Sequence, residues 1–252
     1  MKKTPLPIII VLSYLLPFIP LQLAAYAFSF SPLTALAVKE LGVILGALAA
    51  CGVYKKYNKL PQMSAKKANP LLMLSLTAFS ASIAEITMYL SLADGNYTEY
   101  EEQISLVSVL SFISVVFLNP AAEEFVFRYM VIESMPEKQS TFRKIAVSSL
   151  LFCMVHLMGM TSVLNIADIL ISSAVYAAVY LKTRKLFYTC IAHSVHNLTV
   201  ELLLNTSVDF IRSDMLIIIS AVIFICSAAV ITKLILKADT ENSAEQITGK
   251  DK

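Results

Sequence analysis

The sequence predicts an all-α, polytopic transmembrane helix bundle of about eight helices. Three observations carry that prediction. Hydrophobic residues make up 57% of the 252 and charged residues 15%, and the mean hydropathy is +0.71, a balance far from that of an ordinary soluble domain. The apolar residues gather in runs of about 20, enough to cross a hydrocarbon core of roughly 30 Å. The runs are continuous and do not alternate, which argues against a β-barrel.

Eight segments, bounded by Pro, Asn and charge, follow in order. The first, near 7–29, comes after Lys2 and Lys3 and holds Pro17 and Pro20. Its Ala25-Tyr26-Ala27 also fits the end of a cleavable signal peptide, but the long apolar run with two prolines favours a retained helix. The second, 33–54, holds Lys39 and Glu40, and the third, 70–93, holds Glu85. These buried charges are expected to snorkel or to pair across helices. The fourth, 104–133, is too long for one perpendicular span and is interrupted by Asn119-Pro120. Asparagine is a favoured N-cap and proline suits a first turn, so a half-helix is expected to begin there, its positive end favouring ionised Glu123 and Glu124.

The fifth, sixth and seventh segments, 143–159, 162–181 and 186–205, contain all three histidines between them, in the fifth and seventh. The eighth covers 214–236. Residues 1–237 therefore form a single transmembrane domain, and 238–252 a polar cytoplasmic tail expected to be disordered. Cys51, Cys153, Cys190 and Cys226 all lie in apolar segments at scattered spacing, which excludes a disulfide framework and zinc-knuckle spacing.

Charge sets the orientation. Of the 20 basic residues, 17 fall at the N-terminus, at the C-terminal end or around the second, fourth and sixth connections. The opposite side keeps Arg212 and the acidic stretch with Asp94, Glu99, Glu101 and Glu102. The positive-inside rule then puts both termini in the cytoplasm of an integral membrane protein, expected in the plasma membrane.

Glu123, Glu124 and Arg128 stand out because each ionisable group at mid-helix depth costs roughly 2.5–3.5 kcal/mol on insertion scales. Glu124 and Arg128 are i and i+4 and share a helix face, while Glu123 is turned about 100° away. Pairing of Glu124 with Arg128 leaves Glu123 free to face a cavity. Phe152 and His156 share a face, as do His193 and Asn197. At about 1.5 Å per residue from the lysine-rich ends, Glu123 lies roughly 15–18 Å deep, His156 roughly 20 Å and His193 roughly 10 Å. Three helices can thus aim carboxylate, imidazole and amide at one cavity, expected in the cytoplasmic half of the membrane.

A partly desolvated carboxylate can take a proton from water, and imidazoles and an amide can hold that water or stabilise an oxyanion. That set suits hydrolysis of an amide. A divalent metal such as zinc, with Glu123, His156 and His193 as candidate ligands, would activate water as well, and His193 with His196 is an alternative ligand pair. Ser194 lies between two histidines in sequence, but neighbouring positions on a helix do not give a Ser-His nucleophile its contact. His196 is read as a hydrogen-bonding residue between helices. Asp168 and Glu201 lie in apolar context without a spacing that selects them.

Glu-Glu-x-x-x-Arg (Glu123, Glu124, Arg128), Phe-x-x-x-His (Phe152, His156) and His-x-x-x-Asn (His193, Asn197), in that order on separate helices, resemble the CAAX prenyl protease and bacteriocin-processing (Abi-like) family of intramembrane metalloproteases. The resemblance covers about 115–205 and implies a protease-like core at about 104–205. It implies that Glu123 activates water with His156, that His193 and Asn197 stabilise the oxyanion, and that Glu124 and Arg128 support the site or orient substrate. The implied enzyme is an intramembrane endopeptidase acting on a membrane-associated or lipid-modified protein or peptide. The partners it implies are the lipid bilayer, that substrate, and a membrane sensor or secretion partner, with no nucleic acid. Two other classes compete: a non-catalytic scaffold or immunity-type regulator of the same fold, and a proton-coupled transporter.

Overall fold

The computed structural model describes residues 6–59, 67–93, 105–157, 162–205, 208–211 and 213–248. Part of the charge map, namely Lys2, Lys3, Lys66, Asp94, Glu99, Glu101, Glu102, Arg212, Lys250 and Lys252, lies outside the described residues. What is described is helical: α1 (Leu6–Ala27), α2 (Pro32–Tyr57), α3 (Pro70–Ala93), α4 (Leu106–Ile132), α5 (Thr141–His156), α6 (Val163–Thr183), α7 (Leu186–Leu204), the short α8 (Val208–Ile211) and α9 (Asp214–Thr248).

Six of these, α1, α2, α3, α4, α6 and α9, are long and apolar enough to cross a membrane. The other two of the expected eight carry the histidines. Helix α5 has 16 residues, about 24 Å at 1.5 Å per residue and short of a full span. Helix α7 is long enough, but His193, Ser194, His196, Asn197 and Glu201 dilute its apolar character. Large apolar side chains such as Leu16, Leu48, Phe142 and Ile225 point outward, as lipid-facing surfaces require.

Two expectations are overturned. No half-helix begins at Asn119-Pro120. Helix α4 starts at Leu106, where Ser105 and Ser108 form a reciprocal capping box, and it runs through Asn119, which is itself in right-handed helical conformation. Proline in a helix interior removes one backbone donor and its ring crowds the carbonyl four residues back. The chain absorbs this by widening into a π-helical turn over Ser114–Leu118, in which the Asn119 N–H reaches back to the Ser114 carbonyl. The same dipeptide at Asn69-Pro70 does start a helix: the Asn69 carboxamide oxygen accepts from the Leu71 and Leu72 N–H groups. The tail differs as well. Backbone of α9 stays helical to Thr248, because the sequence after Lys237 offers neither Gly nor Pro to stop it before Gly249.

Cross-helix contacts define two ends of the bundle. At one end the Tyr54 and Tyr129 rings meet at 6.5 Å, the Tyr188 hydroxyl donates to the Asn69 carbonyl at 3.2 Å, and Arg184 pairs with Glu133. At the other end the Tyr89 hydroxyl donates to Asp214 at 3.4 Å, and Leu92, Leu203 and Ile211 form a cluster. Consecutive helices from α2 to α7 therefore alternate in direction, and the first end is the one that the lysine-rich connections join.

Helix α4 is the central element. Its residues Val126 to Ile132 are all buried, packed against Ile10, Val11 and Tyr14 of α1, Ala50 and Tyr54 of α2, and Phe152 of α5. A second core joins α3, α6, α7 and α9 through Leu76, Phe79, Tyr176, Val179, Ala192 and Ile231. Helices α1 and α2 approach closely because Gly42, Gly46 and Ala50 are buried at four-residue spacing along α2. Helix α6 ends on Arg184 at φ 54°, a left-handed position that favours glycine. Arginine is held there because its guanidinium grips both oxygens of Glu133, which also accepts from the Tyr180 hydroxyl at 3.0 Å. The four cysteines are free thiols. Lys39 lies over the Tyr26 ring at 4.4 Å, and Glu85 accepts from the Ser220 hydroxyl.

Candidate active site

The acid pair divides by helix face. Glu124 and Arg128 are completely buried, with Nε to Oε2 at 3.0 Å and Nη2 to Oε1 at 3.3 Å. A buried ion pair is tolerable only where its remaining hydrogen-bonding capacity is used. Here two serines supply acceptors: Arg128 Nη1 donates to Ser148 Oγ of α5 at 2.9 Å and Nη2 to Ser173 Oγ of α6 at 3.0 Å. Ser148 in turn donates to the Phe127 carbonyl at 2.9 Å, and the guanidinium lies over the Phe152 ring at 5.1 Å. Arg128 thereby ties three helices together.

Glu123, one residue earlier, faces the other way into a cavity of about 720 Å³. Its carboxylate oxygens each stand 3.8 Å from an imidazole Nε2, one of His156 and one of His193. Both rings are oriented through their Nδ1 atoms. His156 Nδ1 is 2.8 Å from the Phe152 carbonyl, which can only accept, so Nδ1 carries the proton and the Nε2 of the neutral ring presents a lone pair. His193 Nδ1 is 3.2 Å from Glu124 Oε1, so the buried acid orients the ring that faces its neighbour. Phe152 wedges between the imidazoles, its ring centroid 4.4 Å from that of His156 and 5.8 Å from that of His193.

Separations of 3.8 Å are too long for direct hydrogen bonds and leave room for a bridging water. They also exceed the roughly 3.4 Å between donors of a tetrahedral zinc with bonds near 2.1 Å. Among the described residues, no three His, Cys, Asp or Glu side chains are spaced to hold a metal ion. As arranged, the set does not fit the zinc raised by the sequence.

Asn197 reaches the same cavity from α7 and donates Nδ2–H to the Val115 carbonyl of α4 at 2.9 Å. Among the described residues, the cavity walls bear Glu123, Asp168, Glu201 and all three histidines, and no Lys or Arg. The cavity does not extend toward the lysine-rich end as expected. It runs from Glu123 toward Ser91, Ser162 and Leu204. Depth counted along single helices located the polar atoms but carried no information on where the helices part.

Residues 105–199 match the family model described as type II CAAX prenyl endopeptidase Rce1-like. This segment is similar to that family. No curated protein and no solved structure matches the chain. The Rce1-like segment spans α4, α5, α6 and most of α7, and so contains every side chain that surrounds Glu123 at the distances given above. Together with the six helices long and apolar enough to cross a membrane, the match supports an integral membrane protein whose central helices are similar to those of a protease family.

Within the Rce1-like segment some residues were not selected from sequence. Ser148 and Ser173, which hold Arg128, gave no local signal beyond being small polar residues in apolar helices. Asp168 lines the cavity with His196, Oδ2 to Nε2 at 3.4 Å, and accepts from the Ser172 hydroxyl at 3.1 Å. His196 thus faces an acid of a neighbouring helix, and it does so at the cavity wall.

Proposed function

We propose that the protein is an intramembrane endopeptidase that hydrolyses a peptide bond of a membrane-associated or lipid-modified substrate with a glutamate-activated water. The observation that carries this reading is the Glu123 carboxylate facing two oriented imidazole Nε2 atoms, each at 3.8 Å, in a cavity. Water held between Glu123 and the His156 lone pair gives its proton to Glu123 as its oxygen attacks the scissile carbonyl carbon. His193 can meet the developing oxyanion at Nε2 when its ring carries both protons, with Nδ1–H donating to Glu124, and the second N–H of Asn197 meets it as well. Glu123 returns its proton to the leaving amine nitrogen as the C–N bond breaks, leaving two peptide products. No step runs through a metal ion.

The test is cleavage of lipidated and leader-bearing candidate peptides by the purified protein in detergent. Wild type is expected to cleave at least one of them, and Glu123→Ala to cleave none. Equal cleavage by the two proteins would remove Glu123 from the mechanism.

A further inference from the structure

A second pair of ionisable side chains faces the cavity, and the hydrolysis above uses neither of them. Asp168 of α6 and His196 of α7 both line it, with Asp168 Oδ2 3.4 Å from His196 Nε2. Asp168 is 7% exposed and belongs to a helix apolar enough to cross a membrane, where a carboxylate is costly. A carboxylate offers about four lone-pair sites. One accepts from the Ser172 hydroxyl at 3.1 Å, and another faces His196. The cavity wall bears no Lys or Arg among the described residues, so the rest of this acceptor capacity is left for water or for a donor on a bound molecule.

His196 serves to hold Asp168. Its Nδ1 is buried without a hydrogen-bond partner, and a proton there would be a buried donor left unsatisfied, so the proton belongs on Nε2, toward the carboxylate. Along α7, His196 follows His193 by three residues, about 4.5 Å at 1.5 Å per residue. A peptide bound in extended form advances roughly 3.3 Å per residue. We propose that Asp168, positioned by His196 and Ser172, accepts a main-chain N–H of the bound peptide about one or two residues from the scissile bond. That a bond is cut rests on the peptidase reading above, whereas binding of the peptide does not require cleavage. Recognition through the main chain sets the register of the peptide over Glu123 and leaves side-chain preference to the other walls.

Ester scanning of the ligand tests this, because replacing one amide by an ester removes the N–H donor at that position alone. The purified protein carries Glu123→Gln, so that binding is read without cleavage. The probes are fluorescent versions of the lipidated and leader-bearing peptides, with each amide in turn made an ester. At one position the ester is expected to weaken binding about tenfold, as loss of a hydrogen bond to a charged group does. With Asp168→Ala added, the parent peptide is expected to bind more weakly, and the ester at that position to change binding by less than about twofold. A purely structural Asp168 would weaken parent and ester alike, so equal ester effects in the two proteins would overturn the inference. So would the absence of any ester-sensitive amide, or of peptide binding. If the alanine variant fails to fold, Asp168→Asn carries the same comparison, its neutral oxygen being expected to cut the ester effect to about threefold. The expected pattern without cleavage by the protein that keeps Glu123 would remove the peptidase reading and leave the Asp168 site. Cleavage with equal ester effects would do the reverse.

Discussion

The Asn197 carboxamide donates to the Val115 carbonyl at 2.9 Å, across the contact between α7 and α4. That carbonyl is available because its helical donors are both gone. The Asn119 N–H, which would serve it in an α-helix, is diverted to Ser114, and position 120, which would serve it in a π-helix, is proline and has no N–H. A proline placed inside the helix thus creates the acceptor that fixes a side chain of the site.

This relationship predicts a coupling between positions 197 and 120. Asn197→Leu leaves the Val115 carbonyl without its donor and is expected to cost about 1 kcal/mol. Pro120→Ala restores an N–H that can serve the same carbonyl, so Asn197→Leu in that background is expected to cost less. Thermal unfolding of the four proteins in detergent gives the cycle, and strictly additive effects would break the link.

The two glutamates are expected to fail differently. Glu124→Gln strips a fully buried arginine of its charge partner and is expected to destabilise by about 3–5 kcal/mol. Glu123→Gln, at a cavity wall, is expected to abolish cleavage with a melting temperature close to wild type. Measuring both quantities on both variants separates support of the site from chemistry, and a strongly destabilised Glu123→Gln would argue that its carboxylate is structural.

Close packing of α1 on α2 depends on Gly46. A Cβ there would lie 2.6 Å from the Tyr14 carbonyl oxygen and 2.9 Å from its ring, so Gly46→Ala must push the helices apart, at about 1–3 kcal/mol. At Gly52 on the same helix a Cβ would meet nothing within 4 Å, and Gly52→Ala is expected to be neutral or stabilising by up to about 1 kcal/mol through helix propensity. Equal melting temperatures for the two variants would contradict this packing.

Cleavage is expected to survive removal of metal ions. The purified protein, treated with a strong chelator and shown by elemental analysis to hold no stoichiometric zinc, should retain its activity. Loss on chelation with recovery on adding zinc would place an ion among Glu123, His156 and His193, with a rearrangement that draws their donor atoms closer together.

The amino-acid sequence by itself determined the helical membrane class and, through the 3.6-residue period, the separation of Glu124 and Arg128 from Glu123 on α4. Both depend on composition or on neighbours within one turn, which a local reading contains. The tertiary structure alone decided whether an Asn-Pro pair starts a helix, as at Asn69-Pro70, or lies within one, as at Asn119-Pro120. It also decided that Ser148 and Ser173 hold Arg128, that Asn197 meets Val115, and that the cavity runs away from the lysine-rich end. Each of these depends on contacts between helices far apart in the chain, where close packing selects the partner and no local spacing records it.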